Sequence, residues 1–315
     1  MASYLVTGGA GFIGSNLTKK LIQQGHDVCV VDDLSMGQIT NLEKNNNTHL
    51  QFYEHSITDK QFMQNLLLKN RFDYIVLLAA VASVADSIAR PYATHKVNQE
   101  ANINILETIR KYQLPIKKLL FSSSAAVYGN LPELPKREDS RVEPMTPYAV
   151  DKYATERFVL NYGRLYNLPT VATRFFNVYG PNQNPRSPYS GVLSIISECF
   201  KNKQEFTLFG DGSQERDFIY VEDVVAALEI LLHSKAQHEV YNVATGQTVT
   251  LLGVIRQMEK LIGCQLQITK KPAREGDIQR SQADITKLRR LGFTAQNDLA
   301  TGLKKYLHFS QLIEQ

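Results

Sequence analysis

Near its start the chain passes from an apolar run, Tyr4-Leu5-Val6-Thr7, into Gly8-Gly9-Ala10-Gly11-Phe12-Ile13-Gly14. Gly8, Gly11 and Gly14 give the spacing G-x-x-G-x-x-G. Residues 12–24 then read as a helix, with Phe12, Ile13, Leu17, Leu21 and Ile22 near helical spacing and Gly25 as its stop. Glycines at a strand–helix junction permit a tight turn. They also let a pyrophosphate reach the free N–H groups and the positive end of the helix dipole. A glycine motif alone is weak. Here it has the right context, and an acidic residue, Asp32, follows the second strand, Val28-Cys29-Val30-Val31. A carboxylate there accepts hydrogen bonds from the adenosine ribose and repels a 2′-phosphate, which predicts NAD and not NADP. Asp33 is read as the cap of the turn that follows.

The alternation continues. Phe52-Tyr53 reads as a strand, Lys60 to Lys69 as a helix, and Tyr74-Ile75-Val76-Leu77-Leu78 as a strand. A long helix from about Ala93 to Tyr112 follows, then the strand Lys118-Leu119-Leu120-Phe121. A helix over Pro147 to Tyr166 and the strand Thr170-Val171-Ala172-Thr173 come next. Strands that are apolar throughout, separated by helices, mean a parallel sheet covered on both faces. The fold class is therefore α/β: a Rossmann-type doubly wound parallel sheet with a smaller, partly interleaved C-terminal substrate domain. After about Gly180 the loops lengthen and Phe206-Thr207-Leu208-Phe209 reads as an isolated strand. We expect an NAD-binding domain over residues 1–175 with a later return near 212–245. A nucleotide-sugar-binding domain is expected over 176–211 and 246–315. Asn45-Asn46-Asn47 is a short polar loop.

Composition narrows the function classes. At 315 residues the chain can bury a large core, and 43% hydrophobic with 21% charged residues argues against disorder. A net charge of +4 without any long Lys/Arg run does not imply nucleic acid as a partner. Three widely spaced cysteines, Cys29, Cys199 and Cys264, match no zinc or disulfide spacing and are expected to be reduced and buried. No apolar run approaches the roughly 18 residues of a membrane span. The first residues run directly into a strand, so no secretory leader is expected, and the expected location is the cytoplasm.

Tyr148-Ala149-Val150-Asp151-Lys152 sets a phenol and an amine four apart, on one helix face. Phe121-Ser122-Ser123-Ser124 ends a strand in hydroxyls, at the sheet end where doubly wound folds bind ligands. Ser124 can therefore meet Tyr148. Tyr is a poor base at neutral pH, and a neighbouring ammonium favours its phenolate. Each residue alone has a bland reading as a surface or strand-end polar group. Combined with the glycine turn, they point to proton transfer beside a nicotinamide.

With these motifs the sequence resembles the extended short-chain dehydrogenase/reductases, and among them the UDP-galactose/UDP-glucose 4-epimerases and their N-acetylhexosamine relatives. The likeness runs nearly the full chain. It includes Leu78-Ala79-Ala80, Val97-Asn98, Ser124/Tyr148/Lys152 and Arg174-Phe175-Phe176-Asn177-Val178-Tyr179-Gly180-Pro181. It continues through the segment from Gly210 to Val224, Tyr241-Asn242-Val243 and Arg274-Glu275-Gly276-Asp277.

The resemblance implies Tyr148 as base, Ser124 as its hydroxyl partner and Lys152 on the nicotinamide ribose. It implies cofactor contacts from Gly8, Gly11, Phe12, Ile13, Gly14, Asp32, Ser56, Ile57, Leu78, Ala79, Ala80, Asn98, Ser122, Tyr148, Lys152 and Phe175. Contacts to a UDP-sugar are implied for Ser83, Ser124, Ala126, Tyr148, Asn177, Val192, Arg216, Arg274, Asp277 and Ser281. Two arginines suit a diphosphate, which they can grip bidentately. The chain departs from the family in two places. Ser56 stands where an adenine-contacting Asp is common, and Leu77 where a His is usual.

Dehydratases and decarboxylases of the superfamily carry acidic residues just after the triad's Ser or Thr, where this chain has Ala125 and Ala126. The resemblance then implies epimerization at C4 of a UDP-hexose. The proton goes to Tyr148, a transient 4-keto sugar turns about its diphosphate link, and the reduction occurs on the other face. A small residue at Ser281, where plain-hexose enzymes carry Tyr, implies room for an N-acetyl group. A homodimer is also implied, with Ile103, Leu106, Ile109, Phe158 and Leu165 as candidate contacts. Two other readings compete: an epimerase or dehydrogenase for another nucleotide sugar such as a UDP-uronic acid, and a non-catalytic NAD-binding regulator on the same fold. The intact Ser124, Tyr148 and Lys152 argue against the regulator.

Overall fold

The computed structural model describes residues 1–42, 48–184, 191–273 and 278–314. The Asn45-Asn46-Asn47 loop lies outside them. Seven strands form one parallel sheet, in the order Glu239–Val243, Thr170–Phe175, Lys118–Ser124, Tyr74–Leu77, Ser3–Thr7, Asp27–Asp32, Leu50–Glu54. The chain builds outward from Ser3–Thr7 to one side, then returns and builds to the other. The switch falls between Ser3–Thr7 and Tyr74–Leu77, and the two turns beyond these strands lie against each other. Gly8 sits there at φ +70°, and a Cβ on it would come within 2.7 Å of the Ala79 nitrogen. A crevice opens beyond the strand ends at such a switch point.

Successive strand residues bury into opposite faces. Val6, Val30, Val76, Leu120 and Val171 pack on one side with Leu17 and Leu21 of the first helix and Leu228 of the helix Val221–His233. Leu5, Val31, Ile75, Leu119 and Ala172 pack on the other with Leu106, Ile109 and Leu160. This two-sided burial is why the strands read as unbroken apolar runs. Beyond the strand ends, short strand pairs and the helices Val192–Asn202, Leu251–Ile262 and Leu299–Phe309 enclose a third core around Ile196, Leu208, Val254 and Leu303. The strand Glu239–Val243 returns from this region to the edge of the main sheet.

The helices Lys60–Lys69 and Pro147–Tyr166 have the expected bounds. The long helix expected from about Ala93 differs. It starts at Pro91, a residue suited to a first helical turn, and contains a π turn over Lys96–Glu100. Its cause is polar. Asn102 Nδ2 reaches back to the Val97 carbonyl at 3.3 Å and the Asn98 carbonyl at 3.0 Å. Cys29 and Cys199 are buried as expected, but Cys264 is exposed beyond the end of the helix Leu251–Ile262. Leu106 and Ile109 are intramolecular core, because their helix lies flat on the sheet, and they cannot serve as dimer contacts. Phe158 and Leu165 are exposed. No described helix is long and apolar enough to cross a membrane.

Candidate active site

The helix Phe12–Gln23 begins at the glycine turn, and a Cβ on Gly14 would lie 2.1 Å from the Gly8 carbonyl oxygen. Side chains are thus excluded where a phosphate must come close. Asp32, buried at the end of its strand, accepts from the Ala10 N–H at 3.0 Å and the Leu34 N–H at 2.9 Å. Burial raises its carboxyl above the usual range, while these N–H bonds pull it down. Asp33 caps the next turn, accepting from the Ser35 N–H at 3.1 Å and its hydroxyl at 2.5 Å.

From this turn a cleft of about 400 Å³ runs along the strand ends. Of the expected cofactor residues, Gly8, Gly11, Phe12, Ile13, Gly14, Asp32, Ile57, Leu78, Ala79, Ala80, Ser122, Tyr148, Lys152 and Phe175 line it. Ser56 does not. Its hydroxyl pairs with that of Thr58 at 2.9 Å, and its neighbours His55 and Ile57 form the wall. Asn98 stands behind the wall, accepting from the Val81 N–H at 2.8 Å and donating to the Val81 carbonyl at 3.1 Å. It shapes the segment after the fourth strand and does not face the cleft. Sequence reasoning missed several wall residues, among them Val81, Ser123, Phe176, Asn182 and Gln183. The fragments Phe175-Phe176 and Tyr179-Gly180-Pro181 were visible, but nothing local told that the chain after them folds back over the first helix.

At the other end of the cleft Ser124 closes its strand, and Thr146 caps the helix Pro147–Tyr166 by accepting from the Ala149 N–H at 3.2 Å. Tyr148 and Lys152 follow one turn apart. Lys152 Nζ donates to the Ser122 carbonyl at 2.8 Å and lies 5.9 Å from the Tyr148 ring centroid. Burial pulls the Lys152 ammonium down to about 7, and the charge of Asp151 pushes it back up. Burial raises the Tyr148 phenol, and a hydrogen bond with the Ser124 hydroxyl lowers it. A hydroxyl, a phenol and an amine thus converge where a proton can be taken from and returned to a bound alcohol.

The expected sugar-nucleotide residues are more dispersed. Ser83 lines the cleft and caps the helix Val84–Ala89, an element the periodicity did not reveal, through the Asp86 N–H at 2.8 Å. Asn177 Nδ2 donates to the Asp217 carbonyl at 3.1 Å, on a strand paired with Phe218–Tyr220. Arg216 and Ser281 sit opposite each other in paired strands. Arg216 Nη1 donates to the Glu215 carbonyl at 2.9 Å. Ser281 lines a second, smaller hollow with Phe176, which also walls the main cleft. Ala125, not Ala126, faces that hollow; the Ala126 N–H is turned to the Ser124 hydroxyl at 3.2 Å. Val192 opens the helix Val192–Asn202 and packs on the third core, leaving the preceding Gly191 at the cleft. Arg274 and Asp277 lie outside the described residues. Asp217 was not anticipated. Its buried carboxylate accepts from the Thr245 N–H, the Thr245 hydroxyl, the Gly246 N–H and the Ala283 N–H, tying the strand of Arg216 to that of Ser281.

A doubly wound sheet, a glycine turn at its switch point and a hydroxyl–phenol–ammonium cluster at the neighbouring strand end define the short-chain dehydrogenase/reductase class. Residues 5–306 match the family described as GDP-mannose 4,6 dehydratase, and the chain belongs to that family of extended members of the class. Solved structures agree closely. UDP-glucose 4-epimerase of Thermotoga maritima, determined with UDP-glucose, is 38% identical with a TM-score of 0.92, covering 98% of each chain. UDP-N-acetylglucosamine 4-epimerase of Methanobrevibacter ruminantium, determined with UDP-N-acetylmuramic acid, is 33% identical with a TM-score of 0.92, covering 98% of this chain and 97% of the other. UDP-glucose 4-epimerase of Thermus thermophilus, determined with NAD, is 32% identical with a TM-score of 0.89, covering 98% of this chain and 99% of the other.

Proposed function

We propose that the chain is an NAD-dependent 4-epimerase of UDP-hexoses, acting on the N-acetylglucosamine/N-acetylgalactosamine pair and on the glucose/galactose pair. One observation carries the reading: Ser124, Tyr148 and Lys152 converge beside the glycine turn, and the two residues after Ser124 are alanines. Dehydration needs a further acid to expel water, and none is supplied at those positions.

The residues present fit a dinucleotide. Gly8 and Gly14 leave a turn that a Cβ would fill, and Asp32 lines the same cleft, where it would meet the adenosine ribose. Gly11, Phe12, Ile13 and Gly14 would hold the pyrophosphate, and Tyr148 and Lys152 the nicotinamide ribose. A bound nicotinamide supplies oxidation of the C4 alcohol and its reversal. Tyr148 takes the C4 hydroxyl proton and returns it. Ser124 orients that oxygen by a hydrogen bond. Lys152, with a proton aboard, favours the phenolate of Tyr148. On this reading Arg216 and Asn177 would meet the diphosphate, and the small Ser281 would leave space beside the sugar.

The functional unit is a homodimer in the cytoplasm, associating through the exposed face of the helix Pro147–Tyr166 that carries Phe158 and Leu165. The test of the activity is direct. Purified protein is incubated without added NAD with UDP-glucose, UDP-galactose, and their N-acetyl and uronic forms, and the products are separated. Interconversion of the first four supports the reading; conversion of the uronic forms alone, or of none, overturns it.

A further inference from the structure

The smaller hollow beside the cleft takes its walls from separate stretches of chain. Ala125 and Tyr128 lie just past the triad's strand, Lys136 in the loop that follows, Phe176 beyond the next strand, and Ser281 in the C-terminal region. All of these stretches are fastened at one point of the edge strand Glu239–Val243. The Tyr128 hydroxyl donates to Asn242 Oδ1 at 2.6 Å. Asn242 Nδ2 donates to the Lys136 carbonyl at 2.9 Å, and to the carbonyl of Asp284, just past Ser281, at 3.2 Å. The Phe176 N–H donates to the carbonyl of the following residue, Val243, at 3.2 Å. Lys136 and the C-terminal stretch are also joined directly: the Lys136 N–H donates to the Gln282 carbonyl and the Asp284 N–H to the Lys136 carbonyl, each at 2.8 Å.

Asn242 has no exposed surface, so it touches nothing inside the hollow. Apolar side chains are the ordinary occupants of strands buried this deeply, and a buried amide is costly unless its groups are bonded. Here both donor hydrogens and the oxygen of the carboxamide are engaged, and each bond ends on a wall of the hollow or beside one. What the amide fixes is the placement of Ser281 relative to Ser124, the residue before Ala125. Proton transfer at C4 tolerates little error there, since a misplacement of about 1 Å costs on the order of 10²-fold in rate. Resting on the reading of this hollow as the seat of the sugar, we propose that Asn242 is a positioning residue for the hexose, holding the walls around the sugar in register with Ser124 and Tyr148 while making no contact with it.

The test uses the full chain as purified, as the parent, Tyr128→Phe, Asn242→Leu and Ser281→Tyr. For each, KM and kcat are measured with UDP-galactose and UDP-N-acetylgalactosamine, together with the inhibition constant of UDP and the bound-dinucleotide content. Tyr128→Phe removes one hydroxyl and keeps the ring, and it decides the matter should Asn242→Leu, which strands two carbonyls, fail to fold. Loss of one hydrogen bond from the walls should raise KM about tenfold in Tyr128→Phe, and Asn242→Leu should raise it further. UDP inhibition and dinucleotide content should stay those of the parent. A residue that only stabilised the fold would lower kcat and dinucleotide content together and leave KM alone; that result overturns the proposal. So does inhibition by UDP itself weakened in proportion to KM, since the ties would then hold the nucleotide and not the sugar. Ser281→Tyr separates the inference from the reading beneath it. If it alters turnover of neither sugar pair, the hollow is not the sugar's seat and that reading falls. If it alters one pair while Tyr128→Phe and Asn242→Leu match the parent, the positioning role of Asn242 falls.

Discussion

Lys152 donates to the Ser122 carbonyl oxygen at 2.8 Å, so one buried cation joins the end of a central strand to the helix that carries Tyr148. Burial lowers this amine to about 7, whereas the unfolded chain keeps its proton to near 10.4. Below pH 7 both states are charged and the native state bears the whole cost of burying the ammonium. Between pH 7 and about 10 the unfolded state binds more protons, so native stability rises with pH. Relative to Lys152→Met, the dinucleotide-free parent should gain stability across this window, at about 1.4 kcal/mol for each tenfold change in proton affinity. Denaturant midpoints of both proteins at pH 6, 7, 8 and 9 test it; a difference constant with pH contradicts it.

Tyr148→Phe should keep the fold and the dinucleotide but lower turnover by about 10²–10⁴-fold, the usual scale for a general acid–base group. Turnover of UDP-galactose, together with circular dichroism and bound-cofactor content, decides the matter. An unchanged rate removes Tyr148 from the proton path.

Ser281→Tyr should fill the hollow beside Phe176 and Ala125. We expect most N-acetylhexosamine turnover to disappear while the plain hexoses survive. Equal losses on both pairs, or no N-acetyl activity in the parent, would defeat the assignment.

Arg174 and Glu156 form a buried bidentate pair, Nε to Oε2 at 2.9 Å and Nη2 to Oε1 at 2.6 Å, beneath the cleft. Removing one partner strands the other charge. Arg174→Met alone should cost about 3–5 kcal/mol of stability, while the double replacement with Glu156→Met should cost less than the single. Urea unfolding of the three proteins gives the comparison.

Light scattering at micromolar concentration should return twice the 35.6 kDa chain mass. Phe158→Glu combined with Leu165→Glu places charge on two exposed apolar positions and should shift the mass toward the monomer. A parent that scatters as a monomer refutes the dimer.

The parallel sheet was legible because its strands are buried on both faces: Leu119 and Leu120 enter different cores, and neither needs a polar neighbour. Tyr148 and Lys152 were legible because helix periodicity alone puts them on one face. Asn98 and Ser56 were not. In each the residue type suited a ligand contact, and only the local backbone decided that the side chain turns to Val81 or Thr58. Asp217 depends on partners distant in sequence, Thr245, Gly246 and Ala283, whose approach no short pattern encodes.

The edge strand Glu239–Val243 pairs with Thr170–Phe175 in fixed register, Asn242 opposite Arg174. Recombination between relatives must respect that seam. A crossover between Phe175 and Glu239 would join six strands of one parent to the seventh of another, and any mismatch would fall on the sheet itself. A crossover just after Val243 leaves the sheet of a single ancestry yet still exchanges Ser281. Under the role proposed for Ser281, sugar preference would then be inherited in one step, from a fragment that brings no strand of the main sheet with it.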